Sequence, residues 1–155
     1  MKVLVFALLI GIVAGLRAIT APAAVSWAAR LGLLPLGGTW LAFLGFQWTP
    51  WILTVAAIGE LINDKLPNTP SRKVPPQFAV RVLTGALSGA GIGAPAGHIY
   101  GGLIAGALGA VAGTLGGAEA RSRLVSAIGG RDLPIALLED AVAVLSAVLI
   151  VRQAG

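Results

Sequence analysis

The chain alternates between long apolar stretches and short polar breaks, and six such stretches can be marked out. The first runs from Val3 to about Leu16 and closes on Arg17. The second starts near Thr20, a residue able to cap a helix, with Pro22 suited to a first turn, and ends around Leu34 and Pro35. The third follows Gly37 and Gly38, with Thr39 as its cap, and continues to Leu66. Pro50 is expected to kink it, because a proline nitrogen cannot donate to the helix ladder. The fourth runs from Gln77 to about Ala94, the fifth from His98 to about Gly117, and the sixth from Leu133 to Val151, closing on Arg152.

A bilayer-crossing helix needs about 20 mostly apolar residues. The pattern therefore predicts an all-α, polytopic membrane helix bundle of about six spans, with about four as the lower bound. The first two stretches are short for independent spans, and they form either a helical hairpin that crosses only in part or one long broken helix. Between the third and fourth stretches, residues 67–76 are polar, basic and proline-rich, the signature of a loop in water. This loop divides a single domain, 1–155, into halves 1–66 and 77–155. Three spans per half turn the second half upside down relative to the first, the arrangement of a 3+3 inverted repeat. Gly11-Ile12-Val13-Ala14-Gly15 echoes Gly109-Ala110-Val111-Ala112-Gly113, an echo that a chain rich in glycine and alanine can also produce by chance.

Composition sharpens the choice of solvent. Of 155 residues, 57% are hydrophobic and only 11% charged, against about 25% charged in soluble domains. Lipid is the solvent that such a surface suits. The net charge of +5 would raise nucleic-acid binding in a soluble protein, but no basic stripe with interleaved aromatics exists, so nucleic acid is not an expected partner. The basic residues sit instead in the polar gaps. With six spans, Arg17, Lys65, Arg72, Lys73, Arg121, Arg123 and Arg131 fall on one side, and Lys2, Arg30 and Arg152 on the other. That bias puts the proline loop in the cytoplasm of a bacterium and both termini outside its inner (plasma) membrane. Trp40, Trp48, Trp51 and Tyr100 then lie towards the outer face, whereas Trp27 does not sort this way. Met1 and Lys2 before an apolar run also resemble a signal peptide; Arg17 in the would-be cleavage region and Pro22 beyond it favour a retained helix.

Little chemistry of the enzymatic kind is present. The chain has no cysteine and one histidine, His98, so no metal set and no cofactor are expected. No nucleophile elbow, sugar-binding aromatic array or phosphate loop accompanies the carboxylates. The chain is not expected to be an enzyme.

Glycine at every fourth residue is the most specific pattern. Gly85, Gly89, Gly93, Gly97 and Gly101 are followed by Ala105, Gly109, Gly113 and Gly117, with Gly102 and Gly106 alongside. Such spacing lines one stripe of a helix and lets two backbones approach closely, as in a glycine zipper. Pro95 and Gly97 should turn the chain, so the fourth and fifth stretches are expected to pack as an antiparallel hairpin. Tight packing is the plain reading; a groove lined by bare backbone is the functional one.

Ionisable residues inside apolar stretches are costly and point to function or pairing. Glu60 lies within the third stretch, Glu139 and Asp140 within the sixth, and Arg17 closes the first. Asp64 shares a helix face with Glu60. Arg81, near the start of the fourth, is placed to snorkel to the interface. Arg17, Glu60 and Glu139 are expected to meet near the cytoplasmic boundary, either as an ion-paired latch or as a proton- or cation-responsive site.

The motifs Gly15-Leu16-Arg17 with Pro22, Glu60 with Asp64-Lys65-Leu66-Pro67, Pro70-Ser71-Arg72, and Glu139-Asp140 around a glycine-rich middle resemble the bacterial membrane family catalogued as domain of unknown function 4126. The resemblance spans nearly the whole chain. It implies a compact helical membrane protein and singles out the same charged residues, but supplies no substrate. The leading expectation is a small transporter or channel-like protein, homo-oligomeric in the lipid bilayer, with Arg17, Glu60, Asp64, Glu139 and Asp140 as the site for an unknown solute or ion. The alternative is a non-transporting scaffold or accessory subunit of a membrane complex.

Overall fold

The structure, a computed structural model, describes residues 1–66 and 74–155. Of the expected loop at 67–76, residues 67–73, with Arg72 and Lys73 of the charge count, lie outside the described residues, while Pro75 and Pro76 open the fourth helix, where a proline's missing N–H is not needed. Among the described residues the chain is all-helical: α1 (Lys2–Leu16), α2 (Thr20–Arg30), α3 (Thr49–Asn63), α4 (Pro75–Gly93), α5 (Ile99–Ala127) and α6 (Asp132–Ala154). Short 3-10 turns occupy Trp40–Gly45 and Ala94–Ala96.

Three boundaries differ from the apolar pattern, each for a local reason. The second stretch stops being helical at Arg30, before Leu34 and Pro35. Gly32 takes a left-handed conformation (φ 81°), and the Leu33 N–H donates to the Ala28 carbonyl at 2.9 Å, which closes a Schellman cap. Pro50 does not kink a long third helix; it sits in the first turn of α3, where its missing N–H is not needed. The preceding apolar residues form a separate 3-10 turn, whose Thr39 side chain accepts from the Leu41 N–H at 3.2 Å. The fifth helix runs past Gly117 to Ala127. Good helix formers around Arg121 and a Glu119–Arg123 pair at 2.7 Å carry it on, until Gly129 and Gly130, both left-handed, end it.

Length decides what each helix can do. At 1.5 Å per residue, α1 and α3 are about 22 Å long and α2 about 17 Å, short of a hydrocarbon layer of about 30 Å. Among the described residues two helices, α5 with 29 residues and α6 with 23, are long and apolar enough to cross a membrane by length and composition. The lengths do not match between the two halves, 11 residues in α2 against 29 in α5.

Helix α1 occupies the centre, packed on α2, α4, α5 and α6. Small residues make that packing possible. A Cβ on Gly89 would collide with the backbone of Gly102 and Gly106, and one on Gly85 would lie 2.6 Å from the Ala110 Cβ. These contacts join α4 and α5 antiparallel. The ladder of α5, however, splits between two neighbours. Gly102 and Gly106 face α4, while Gly109 and Gly113 meet the α1 backbone at Leu8 and Ile12. Gly101 faces the Leu4 side chain, and Gly117 borders a gap beside α6. Gly11 and Gly15 of α1 press onto Gly106 and onto Ala110–Thr114. The echoing Gly11–Gly15 and Gly109–Gly113 segments thus belong to two helices that run in the same direction and form two sides of one seam.

The buried apolar core mixes alanines, among them Ala7, Ala14, Ala21, Ala90, Ala110 and Ala143, with larger side chains such as Ile10, Leu34, Leu41, Leu44 and Ile92. Many large apolar side chains lie outside as well: Val55 is 70% exposed, Leu83 68% and Leu145 64%. Trp27 meets Trp51 edge-on, with ring centroids 5.0 Å apart, so it joins the tryptophans of the third stretch after all. An 11-residue α2 brings it there.

Gly97 connects α4 to α5 at φ 76°, with nothing near the place of a Cβ. Gly97→Ala should therefore cost about 1–2 kcal/mol, the penalty of a left-handed alanine. Thermal melting would show it as a modest fall with an unchanged helical spectrum. A fall as large as that of a buried glycine would contradict this account.

Candidate functional site

One end of the bundle carries almost all of the interior charge. The C-termini of α1, α3 and α5 and the N-termini of α2, α4 and α6 meet there, which brings residues far apart in sequence into contact. Arg17, just past α1, is fully buried. Its Nε donates to Asp140 Oδ1 at 2.6 Å, its Nη2 lies 3.0 Å from Asp64 Oδ2 and 3.8 Å from Glu139 Oε2, and its Nη1 donates to the Leu16 carbonyl at 3.0 Å. One guanidinium thus gathers α1, α3 and α6.

Glu60 stands beside this hub and binds the backbone that follows Arg17. Its two oxygens accept from the N–H groups of Ala18 at 2.7 Å and Ile19 at 2.8 Å. Those donors lie just before α2, where helix N–H groups have no partner in the ladder and the dipole favours an anion. The expected Arg17–Glu60 contact is therefore replaced by a carboxylate cap on the residues that follow Arg17. Geometry explains the exchange: α1 ends at Leu16, and the extended Arg17 (φ −140°, ψ 108°) turns its following N–H groups towards α3.

Arg81 differs from its expected place. It is 4% exposed; its Nη1 donates to the Gly15 carbonyl at 2.9 Å, and its Nη2 lies 3.9 Å from Glu60 Oε1. Gly85 of α4 and Gly15 of α1 both close onto α5 at Gly106–Thr114, which draws the two helices together beside it, so the long side chain reaches inward to Gly15 and does not snorkel.

Three further charged groups complete the network. Lys65 pairs with Asp140 and donates to the Leu61 carbonyl at 2.9 Å. Arg121 lies 3.1 Å from Asp64 and 3.4 Å from Glu139, and forks onto Asp132 through Nε at 2.9 Å and Nη2 at 2.7 Å. Asp132 opens α6, where a carboxylate also suits the helix dipole. Of the residues expected at the site, Arg17, Asp64, Glu139 and Asp140 converge, and Glu60 is adjacent. Lys65, Arg81, Arg121 and Asp132 were not expected there. Arg81, alone between Val80 and Val82, carried a signal in its sequence; Arg121 and Asp132 did not, because both lie in a polar stretch that reads as solvated.

The acids of this network face cations at every point where the structure describes them. The gap next to Glu139 and Arg121 is walled by apolar groups, including Leu16, Leu138 and Val142, and Glu60 borders neither described cavity. Among the described residues no cluster of three or more acidic, histidine or cysteine side chains could hold a metal ion. Chemically, the arrangement is a set of interlocked charge-assisted hydrogen bonds that holds α1, α3, α4, α5 and α6 at one end. No protein-family model matches the chain, and neither a curated protein nor a solved structure matches it.

Proposed function

We propose that the protein is a small multi-spanning protein of the bacterial inner membrane that moves a small solute or ion, with α3 as its moving element and the charged cluster as its latch. The membrane part of this reading is supported by the many large apolar side chains on the outside of the bundle, Val55, Leu83 and Leu145 among them. A monomer in water rarely exposes contiguous apolar patches beyond a few hundred Å², whereas lipid welcomes them. All six helices then lie in the bilayer, with α5 and α6 crossing fully and the charged end in the cytoplasm, where Arg17, Lys65, Arg81, Arg121, Arg123 and Arg131 agree with the positive-inside bias. The resemblance to the family of unknown function rests in part on Arg17, Glu60, Asp64, Lys65, Glu139 and Asp140, which lie in or beside this cluster, and membership is part of the same proposal.

One observation carries the transport reading. Helix α3 supplies Glu60, Asp64 and Lys65 to the network, yet Pro50 is its only buried residue. An element held by ion pairs and a tryptophan contact, with little apolar burial, can swing once its charges are released. A second reading, a non-transporting scaffold or accessory subunit, is favoured by a different observation: Arg17 is sealed and every acid around it is paired.

Proteoliposomes separate the two. Transport predicts measurable proton, sodium, potassium or chloride flux for the natural chain. Glu60→Gln should then abolish it, since an amide can accept only one of the two N–H groups, with the melting temperature falling by only a few degrees. If all four fluxes are absent and Glu60→Gln instead lowers the melting temperature sharply, the latch is purely structural and the transport reading is lost.

A further inference from the structure

Helix α3 divides its residues between two sides with a regular period. Leu53, Thr54, Ala57, Glu60, Leu61 and Asp64 are half-buried against the bundle. Ile52, Val55, Gly59 and Ile62 are exposed, with Trp48 and Leu66 at the two ends of the same line. Steps of four and three residues alternate along it, the spacing that keeps one seam turned towards a neighbouring helix. Trp51, Ala56, Ile58 and Asn63 flank the seam and are exposed as well.

Lipid accounts for the large side chains of this face but not for its glycine. Every glycine of α1 and α4 sits where a Cβ would press on another segment of the fold. Gly59 meets nothing within 4 Å, although a glycine inside a helix costs about 1 kcal/mol relative to alanine. Gly116 is open too, but it lies at the end of an apolar run, whereas Gly59 stands mid-face between Val55 and Ile62. A small residue there lets another helix backbone come close, which is what drives helix pairing in lipid. The partner must be apolar, run along the same seam and carry no opposing charge. A second α3 meets all three conditions. Lys65, at the edge of the face, is drawn back onto Asp140, so no cation on the seam repels its own copy. The face carries seven large apolar side chains, each more than half exposed. At roughly 100 Å² apiece, they offer on the order of 700 Å² per copy, close to the ~800 Å² that each partner gives to a standard interface.

We propose that two copies of the chain pair through α3, parallel about a twofold axis along the membrane normal, with their closest approach at Gly59. Both copies insert in the same orientation, so identical positions meet across the axis. The two Gly59 backbones touch, and Val55 and Ile62 pack on either side of them. The pairing rests on the placement of α3 in the bilayer and not on transport. It gives the most weakly buried helix a second support, a central pair against which the rest of each bundle can move.

The natural chain has no cysteine, so single cysteines report contacts directly. Val55→Cys and Ile62→Cys on the seam are compared with Leu83→Cys on α4 and Leu145→Cys on α6, which are similarly exposed on other helices. In inner-membrane vesicles treated with copper–phenanthroline, the two seam variants should form disulfide-linked dimers and the two controls should not. Gly59→Leu, added to Val55→Cys, should cut the cross-linking about tenfold, the scale on which overpacking a close contact acts. The melting temperature of its monomer in detergent should hardly change, since nothing within one copy lies near that Cβ. Equal cross-linking at all four positions marks random collision and would overturn the proposal, and so would Gly59→Leu without effect on the dimer. A water-soluble maleimide tells the failure of the pairing from that of the membrane placement. Val55→Cys shielded from the reagent yet not cross-linked would mean that lipid covers the face, and the pairing alone is lost. Rapid labelling of Val55→Cys would mean that α3 stands in water, and the membrane placement falls with the pairing. If Gly59→Leu does not fold, the contrast between seam and control cysteines decides the matter.

Discussion

Arg17→Met should destabilise the protein by about 3–5 kcal/mol, the usual cost of leaving buried charges without their counterion. The guanidinium is fully buried and touches Asp64, Glu139 and Asp140. Methionine fills much of the space but leaves three carboxylates facing one another, with only Lys65 and Arg121 to offset them. Arg17→Lys keeps the charge and loses the fork, so it should fall between the two. Adding Asp140→Asn to Arg17→Met should recover part of the loss, because one of the stranded charges is removed; the double-mutant cycle measures the coupling. Chemical unfolding in micelles is the measurement. An Arg17→Met protein as stable as its parent would mean that water reaches these acids freely, and the latch would no longer explain how the helices meet.

Gly106→Ala should cost about 3 kcal/mol, at the upper end of what overpacking a tight contact usually does. Gly106 is where three helices touch: a Cβ there would strike the Gly85 carbonyl of α4, the Cβ position of Gly89 in the same helix points at Gly106, and that of Gly11 points at it from α1. The obstructing atoms are backbone and cannot rotate away, so α1 or α4 must move as a whole. Gly116→Ala in the same helix meets nothing within 4 Å, and should be neutral or stabilising by up to about 1 kcal/mol through helix propensity. Thermal melts of the two variants side by side give the comparison. If both fall alike, close approach of the helices is not what selects glycine at position 106.

The same glycines show how far local pattern reaches. A spacing of four puts Gly85, Gly89 and Gly93 on one stripe, and this follows from helix geometry alone. Their partners do not follow. Gly102 and Gly106 meet α4, and Gly109 and Gly113 meet α1, because α5 lies in the groove between two helices. Spacing within one helix cannot count its neighbours. Pro50 taught a similar lesson. A proline inside an apolar run means either a kink or a start, and the choice fell to the start once the 3-10 turn at Trp40–Gly45 had ended the preceding segment.

The charged site divides in the same manner. That Arg17, Glu60, Asp64, Glu139 and Asp140 must be compensated could be read directly from their apolar surroundings, since desolvation is a property of each group and its immediate neighbours. Which cation meets which acid is a matter of distance between helices. Glu60 took two backbone N–H groups in place of Arg17 because the chain turns at Arg17. Arg121 entered the network because α5 outran its apolar run.

Helices, their approximate limits, the small residues available for close packing and the presence of costly charge are thus legible in the order of amino acids, because all of them arise from interactions within a few residues. Pairing of charges, division of the glycine seam between α1 and α4, and burial of Arg81 are not. Each depends on how close separate helices come, and that is set by the summed packing of the whole bundle.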